Sequence, residues 1–112
     1  MKNYKEMYKL LLIFIVLTSC KGYNDVTYEV DCSKSGFSIT YQEQDNTIQE
    51  TVYNDNWSKT FKAHSGDFVY ISAQTLSENA EIEVRIIRRE FVISEATSTG
   101  DYVIATVSEI LE

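Results

Sequence analysis

Polar and apolar side chains alternate with a period of two through most of this sequence after residue 25. Residues 81–86 (EIEVRI) are the clearest stretch, in which charged and aliphatic residues take turns. Successive side chains of a β-strand point to opposite faces, so this pattern predicts a strand with one buried and one solvated face. No stretch shows the 3.6-residue repeat of a long amphipathic helix. We therefore expect an all-β fold for this part of the chain.

Turn-forming residues divide the same region into eight predicted strands. Gly, Asn, Asp and Ser collect at residues 33–36, 44–47, 54–56, 64–67, 77–79 and 97–101. The expected strands are residues 26–32, 37–43, 48–53, 57–62, 68–75, 81–88, 90–96 and 102–109. Turns that recur every eight to twelve residues or so are typical of antiparallel sandwiches and barrels. The pattern predicts one such domain over residues 26–112.

Two details concern how the strands are joined and protected. Arg88-Arg89 stands where a two-residue hairpin favours Asn-Gly or Asp-Gly, so either the loop is longer or its turn tolerates side chains. The chain contains no proline, so charged residues must discourage pairing at the sheet edges. Glu50, Lys59 and Glu95 are the residues expected to do so.

The start of the chain is organised differently. Lys2, Lys5 and Lys9 precede an unbroken apolar run at residues 10–17, and small residues lead from that run to Cys20. A basic start, a short apolar run and small residues before a cleavage point are typical of a secretory signal peptide. The run is shorter than the ~20 residues that a membrane-spanning helix needs. We therefore expect a signal helix that is removed from the mature protein.

The end of this leader, residues 17–20 (LTSC), resembles a bacterial lipobox, in which the cysteine thiol is lipidated and the chain is cut just ahead of it. The sequence thus predicts a lipoprotein signal peptide at residues 1–19, lipid on Cys20 and a tether at residues 20–25. An ordinary signal peptide followed by a chance cysteine is the alternative. Lys21 is not the Asp-type retention signal of enterobacterial lipoproteins, which favours the outer membrane in a cell that has one. The sequence leaves open whether the domain faces the periplasm or the outside.

Cleavage before Cys20 changes both size and charge. Removing 19 of the 112 residues leaves 93, which suits one small domain. The leader contains three of the ten basic and one of the seventeen acidic residues, so the mature formal charge is 7 − 16 = −9. Such acidity argues against nucleic acid as a partner, because phosphate contacts need basic patches. It also argues against charge-driven docking on anionic lipids, so the membrane is expected as a partner only through the lipid.

Cysteine usage is simple once Cys20 carries a lipid, because Cys32 is then alone and no disulfide can form within the chain. A lone thiol can be reactive or can bridge two molecules, and it can also be a small buried hydrophobe. Val26, Tyr28, Val30 and Cys32 fall on one face of a predicted strand, which favours burial.

The inventory of catalytic and metal-binding groups is small. His64 is the one histidine, and it lies in a predicted turn beside Ser65 and Asp67. Closeness in sequence does not make a catalytic triad, which needs a specific arrangement in space. One histidine and one thiol are too few for a zinc site, and the four glycines form no phosphate-binding loop. We expect no catalysis, no metal and no cofactor.

Aromatic residues favour a binding function instead, since the chain has eight tyrosines. Tyr23, Tyr53 and Tyr102 are predicted to be exposed and to line a recognition surface, because tyrosine combines a rigid apolar body with a polar tip that suits proteins and sugars. Core packing and strand propensity are the alternative explanation for so many tyrosines. Trp57, at the start of a strand, is expected to fill the core between two sheets.

Six stretches, in a consistent order and spacing, carry a family resemblance. They are residues 26–30 (VTYEV), 37–41 (FSITY), 57–61 (WSKTF), 66–74 (GDFVYISAQ), 82–86 (IEVRI) and 98–105 (STGDYVIA). Together they resemble the periplasmic domain of the MmpS family, the transport accessory proteins that accompany RND-type lipid exporters. The WSK block followed by the SAQ block is the most specific part of the likeness.

This resemblance implies a small immunoglobulin-like antiparallel β-sandwich that is held at a membrane and has no enzymatic activity. The chain departs from the family in three places. The family is typically anchored by a transmembrane helix instead of a lipid, it usually has a proline where this chain has Asn56, and it has an Asp-Gly type of turn where this chain has Arg88-Arg89.

The leading expectation is a non-enzymatic lipoprotein whose domain is an interaction or accessory module of the bacterial envelope, with an envelope protein or exporter as partner. The alternative is a lipoprotein that binds a small ligand or glycan through exposed tyrosines. An inhibitor of a hydrolase is a third possibility, which would need an unusually long exposed loop. Catalysis ranks last and would need a pocket that brings His64 together with two carboxylates.

Overall fold

The structure, a computed structural model, describes residues 24–112, and every regular element in that range is a β-strand. The strands are β1 (Asn24–Cys32), β2 (Phe37–Glu43), β3 (Asn46–Val52), β4 (Asn56–Ala63), β5 (Phe68–Thr75), β6 (Ala80–Arg88), β7 (Phe91–Gly100) and β8 (Ile104–Ile110). They form two antiparallel sheets, the first in the order β4-β1-β6-β7 and the second in the order β3-β2-β5-β8. The predicted all-β antiparallel sandwich is confirmed. The predicted signal helix lies outside the described residues.

The strand order has the central pairs of an immunoglobulin-like sandwich. β4 returns beside β1 in the first sheet, and β5 lies beside β2 in the second, as strands E and F lie beside B and C in the immunoglobulin fold. β3 and β8 flank that second pair. The β6-β7 hairpin covers the other side of β1, where an immunoglobulin domain has its first strand.

Alternation buries one face of each sheet. β1 contributes Val26, Tyr28, Val30 and Cys32, so the predicted inward face is confirmed and the Cys32 thiol is free and buried. Trp57 is partly buried against this core, with its ring centroid 5.1 Å from that of Tyr41, which agrees with its expected place between the sheets. The other strands supply mainly aliphatic and aromatic residues: Phe37, Ile39, Tyr41, Val52, Phe61, Ala63, Val69, Ile71, Ala73, Ile82, Val84, Ile86, Ala105 and Val107.

The Tyr28 hydroxyl ties the two sheets together. It donates to the Gln42 carbonyl at 2.5 Å and accepts from the Tyr70 backbone N–H at 3.1 Å. The ladder between β2 and β5 ends at the pair Tyr41 and Ile71, so the hydroxyl takes the place of the next ladder bond. Burial is the main cause that raises the pKa of Tyr28 to about 12.

Fifteen of the sixteen predicted strand boundaries lie within two residues of those in the structure, and the boundaries of β2 and β5 agree at both ends. The predicted turn at residues 97–101 is wrong, because β7 continues to Gly100 and pairs with the whole length of β6. Threonine is β-branched and suits a strand as well as a turn, so the Ser-Thr-rich cluster was ambiguous. Tyr53 and Tyr102, predicted within strands, lie in the loops after β3 and before β8.

The hairpin between β6 and β7 has a two-residue loop formed by Arg89 and Glu90, one residue later than the predicted position. Both have positive φ, 52° and 71°, as a type I′ turn requires. The turn therefore does tolerate side chains, at the cost of backbone strain that glycine would avoid.

The three charged residues predicted to protect the sheet edges do lie on edge strands, and their protective role stays a prediction. Glu50, Lys59 and Glu95 lie on β3, β4 and β7, which are three of the four edge strands among the described residues.

No helix within residues 24–112 is long and apolar enough to cross a membrane.

Candidate interaction surface

Exposed large apolar side chains gather at the two ends of the sandwich. We call the end where β1 begins the proximal end and the opposite one the distal end. The outer faces between them carry mostly Thr, Ser, Gln and charged side chains. The proximal end exposes Phe68, Phe91, Val92, Ile93 and Ile110, and the distal end exposes Tyr53, Leu76, Tyr102 and Ile104.

Four distal positions form a row across the end of the second sheet. Within that sheet Val52 is opposite Phe37 and Phe37 is opposite Thr75, while the Thr75 N–H donates to the Val103 carbonyl. The loop residues adjacent to these four in the chain also lie side by side, since the N–H of Leu76 donates to the Gly36 carbonyl at 3.2 Å. We call these four loop residues the distal row: Tyr53, Gly36, Leu76 and Tyr102.

The distal row has two aromatic ends and a gap between them. Tyr53, Leu76 and Tyr102 are 81%, 48% and 53% exposed. Gly36 has a φ of +99° that side chains rarely adopt, so this position stays without one. Three strand spacings of 4.7–4.9 Å place the backbones of the two tyrosines about 14 Å apart. Together the three side chains offer an apolar ridge that is interrupted at the glycine.

Tyr102 is held in a strained backbone conformation. Its φ is +52°, which costs an aromatic residue about 1–3 kcal/mol. The surrounding loops fix it, because its N–H donates to the Ser77 carbonyl at 3.0 Å and its carbonyl accepts from the Gln74 amide at 3.2 Å. The neighbouring Asp101 carboxylate accepts the Asn79 N–H at 2.7 Å. The result is a rigidly supported backbone that presents a tyrosine ring to solvent.

A depression at the proximal end does bring His64 together with two carboxylates, those of Asp45 and Asp67. Its volume is about 480 Å³. The Asp67 carboxylate closes the local turn, since its Oδ2 accepts the His64 N–H at 2.8 Å and lies 3.8 Å from the ring Nδ1. The Ser65 hydroxyl donates to the Glu112 carbonyl at 3.2 Å, and no Ser, Thr or Cys lines the depression. The contacts of Asp67 and Ser65 therefore give this cluster a structural role, and its lining contains no hydroxyl or thiol nucleophile.

Arg85 is the centre of a charged cluster on the outer face of the first sheet. Its guanidinium contacts the carboxylates of Glu29, at 3.0 Å, and of Asp31 and Glu83. Burial alone would lower the pKa of Arg85, but the hydrogen bonds to Asp31 and Glu29 outweigh it and raise that pKa. No group of His, Cys, Asp or Glu within the described part of the chain is arranged to hold a metal ion.

The structure describes two of the four predicted site residues. Tyr53 and Tyr102 are exposed as predicted and lie at the same end of the domain, and their part in binding stays a prediction. Cys20 and Tyr23 lie outside the described residues. Sequence reasoning missed Gly36 and Leu76, since their place beside the tyrosines depends on how the strands are ordered.

The sequence matches no protein-family model, and no curated protein is similar enough in sequence to count as a relative. The resemblance to the MmpS family therefore remains a prediction.

Proposed function

We propose that this chain is a non-enzymatic lipoprotein of the bacterial envelope, anchored by lipid on Cys20, that binds a partner protein through the distal row. The mature protein would begin at Cys20, with residues 1–19 removed as a lipoprotein signal peptide. Lys21 favours the outer membrane as the site of anchoring.

The placement of the distal row at the end of the domain opposite the start of β1, which follows Cys20 closely in the chain, carries this proposal. β1 starts at the proximal end, only four residues after Cys20, while the distal row lies at the other end of the strands. A lipid at Cys20 would hold the proximal end at the membrane and turn the distal row away from it. Two exposed tyrosines, one of them on a hydrogen-bonded loop, are suited to a protein interface, where tyrosine is enriched.

The resemblance to MmpS-type accessory proteins supports an envelope protein, such as an exporter subunit, as the partner. The described loops support this more than an inhibitor of a hydrolase. Within residues 24–112 no connection between strands is longer than four residues, so the long exposed loop that an inhibitor would need is absent from this part of the chain.

A glycan or small ligand is the second candidate, and the exposed rings of Tyr53 and Tyr102 favour it. Sugars stack on aromatic rings with apolar faces. However, the backbones of the two tyrosines are about 14 Å apart across three strand spacings, with Gly36 between them. Such a spacing fits an extended chain of sugars better than a single small molecule.

Photocrosslinking in living cells tests the proposal. A photoreactive phenylalanine analogue at position 53 or 102 is expected to crosslink the same envelope protein from both positions. The matched control is position 49, where Gln49 is exposed on the outer face of β3, away from the distal row. The double variant Tyr53→Ala, Tyr102→Ala should lose the association while remaining folded.

Equal crosslinking from positions 49, 53 and 102, or no protein adduct from any of them, would contradict a partner protein at the distal row. Binding of purified cell-surface polysaccharide that disappears in the same double variant would instead favour the glycan candidate.

A further inference from the structure

The proximal end exposes a second apolar surface that the proposed function does not use. Phe91 and Ile110 are 73% and 66% exposed, and Phe68 lies directly opposite Ile110 in the ladder between β5 and β8. Ile93 and Ile110 line one depression, so the two parts of the surface are continuous. We call it the proximal patch: Phe68, Phe91, Val92, Ile93 and Ile110.

A β-bulge creates the unusual part of this patch. In a regular strand every second residue points inward, so three consecutive exposed apolar residues are unexpected. Ser94 is opposite Ile86 and Val92 is opposite Ile87, which leaves Ile93 as an extra residue without a partner. The bulge interrupts the alternation, and Phe91, Val92 and Ile93 are all at least 36% exposed.

The proximal patch lies at the end of the sandwich where β1 begins, which is the end closest in sequence to Cys20. In the first sheet Val26, near the start of β1, is opposite Arg88, and Arg88 is in turn opposite Phe91. The hydrogen bond from the Tyr70 N–H to the Tyr28 hydroxyl places the start of β5 in the second sheet at the same end of the sandwich. Three residues stand between Cys20 and the first residue of β1, so four residue-to-residue steps join the two. At 3.3–3.6 Å per step these four steps span at most about 14 Å.

We propose that the proximal patch docks on the lipid bilayer that holds the lipid of Cys20. This inference rests on the proposed anchoring at Cys20, because the short tether is what brings the patch to the membrane. The hairpin tip and the adjoining ends of β5 and β8 insert their apolar side chains at the boundary between headgroups and acyl chains, about 5–10 Å deep. The domain is then fixed upright, with the distal row facing away.

Apolar contact carries this docking, since the charges around the patch are mixed. Arg88 and Arg89 are followed by Glu90, and Glu109 and Glu112 lie near Ile110. A second copy of the chain or a partner protein could also cover an apolar patch, but the tether of at most about 14 Å brings lipid to it in every molecule. We expect docking to be nearly insensitive to salt, unlike headgroup binding by charge.

Quenching of a site-specific fluorophore tests the proposal on the full mature lipoprotein. Phe91→Cys is labelled with an environment-sensitive dye, and Tyr53→Cys at the distal end is the matched control; the buried Cys32 should label little in the folded protein. Vesicles of phosphatidylethanolamine and phosphatidylglycerol, free of other proteins, supply the bilayer. Iodide quenches the label from water, and a nitroxide-labelled lipid quenches it from the membrane.

On vesicles, iodide quenching at position 91 should fall about threefold or more, with strong quenching by the nitroxide lipid, while position 53 changes little. A vesicle-bound protein whose label at 91 remains open to iodide would overturn the docking. Shielding at 91 without quenching by the nitroxide lipid would also overturn it and would point to a second copy.

A second arm separates docking from anchoring. A His tag replaces Cys20 and binds the same labelled chain to vesicles with nickel-chelating lipid. If the natural protein carries no lipid, the anchoring proposal fails by itself. Docking is still supported when the tag-anchored label at 91 is shielded by lipid, and it is refuted when that label stays accessible to iodide.

Discussion

Removing one buried hydroxyl should weaken the contact between the two sheets. Tyr28→Phe keeps the ring in the core but deletes the oxygen that bonds the Gln42 carbonyl and the Tyr70 N–H. The β2-β5 ladder has already ended at this point, so neither backbone group gains another strand partner. Both would be left partly buried and unsatisfied, and we expect the domain to lose stability without losing its fold.

The size of the loss follows from the two bonds. A buried polar group left without a partner costs about 1–3 kcal/mol. These two groups are only partly buried, so the lower end of the range applies to each, and the free energy of unfolding should fall by about 2–3 kcal/mol in total.

The contribution of Tyr28 to stability should also depend on pH. The pKa of Tyr28 is raised to about 12 in the folded state from about 10 in the unfolded chain. The stabilisation is therefore complete below pH ~10 and is lost as the pH rises through ~12. Burial disfavours the ionised ring in the folded state, and a difference of about two pKa units corresponds to about 2.7 kcal/mol. The difference between the wild type and Tyr28→Phe should shrink toward zero over this range.

Urea unfolding of residues 21–112, followed by the fluorescence of the single Trp57, measures both effects. Tyr41→Phe is the matched control, because the Tyr41 hydroxyl donates to the Glu50 side chain at 2.6 Å and water can replace it there. It should cost less than about 1 kcal/mol. A loss below about 0.5 kcal/mol for Tyr28→Phe at pH 7, or a difference that stays constant up to pH ~12, would refute the reasoning.

Three further changes have expected outcomes. Arg85→Gln should lower the free energy of unfolding, measured by urea unfolding, by about 1–2 kcal/mol, because three partly exposed carboxylates lose their cation. This loss should become smaller in about 1 M salt, and a loss of the same size with and without salt would argue against the prediction. The pair Arg89→Asn, Glu90→Gly should stabilise the domain by about 1 kcal/mol by relieving positive φ, whereas a lower thermal midpoint would contradict the type I′ turn. Cys32 should react with a thiol reagent about a hundredfold more slowly in the folded than in the unfolded chain, and equal rates would show that it is accessible.

Local patterns predicted most of the fold, because alternation and turn residues act over short distances. β2 and β5 begin with an aromatic residue directly after a glycine or aspartate turn, and both of their ends were predicted. The end of β7 was not, since Ser and Thr suit both strands and turns and only pairing with β6 decides between them.

The candidate surfaces were less predictable for the same physical reason. The exposure of Tyr53 and Tyr102 could be expected from their positions beside turns. Their place in one row with Leu76 depends on the order β3-β2-β5-β8, which no local pattern specifies. Residues 91–93 (FVI) fall within the strand predicted over residues 90–96, and the bulge opposite Ile86 and Ile87, which no local pattern indicates, breaks the alternation there.

The intact mass of the protein extracted from the membrane of its own cells tests the central claim most directly. The account predicts a chain that starts at Cys20, lacks residues 1–19 and carries acyl chains on Cys20, and Cys20→Ser should abolish both changes. An unmodified mature chain, a cut at another residue, or a full-length membrane-bound chain would contradict it.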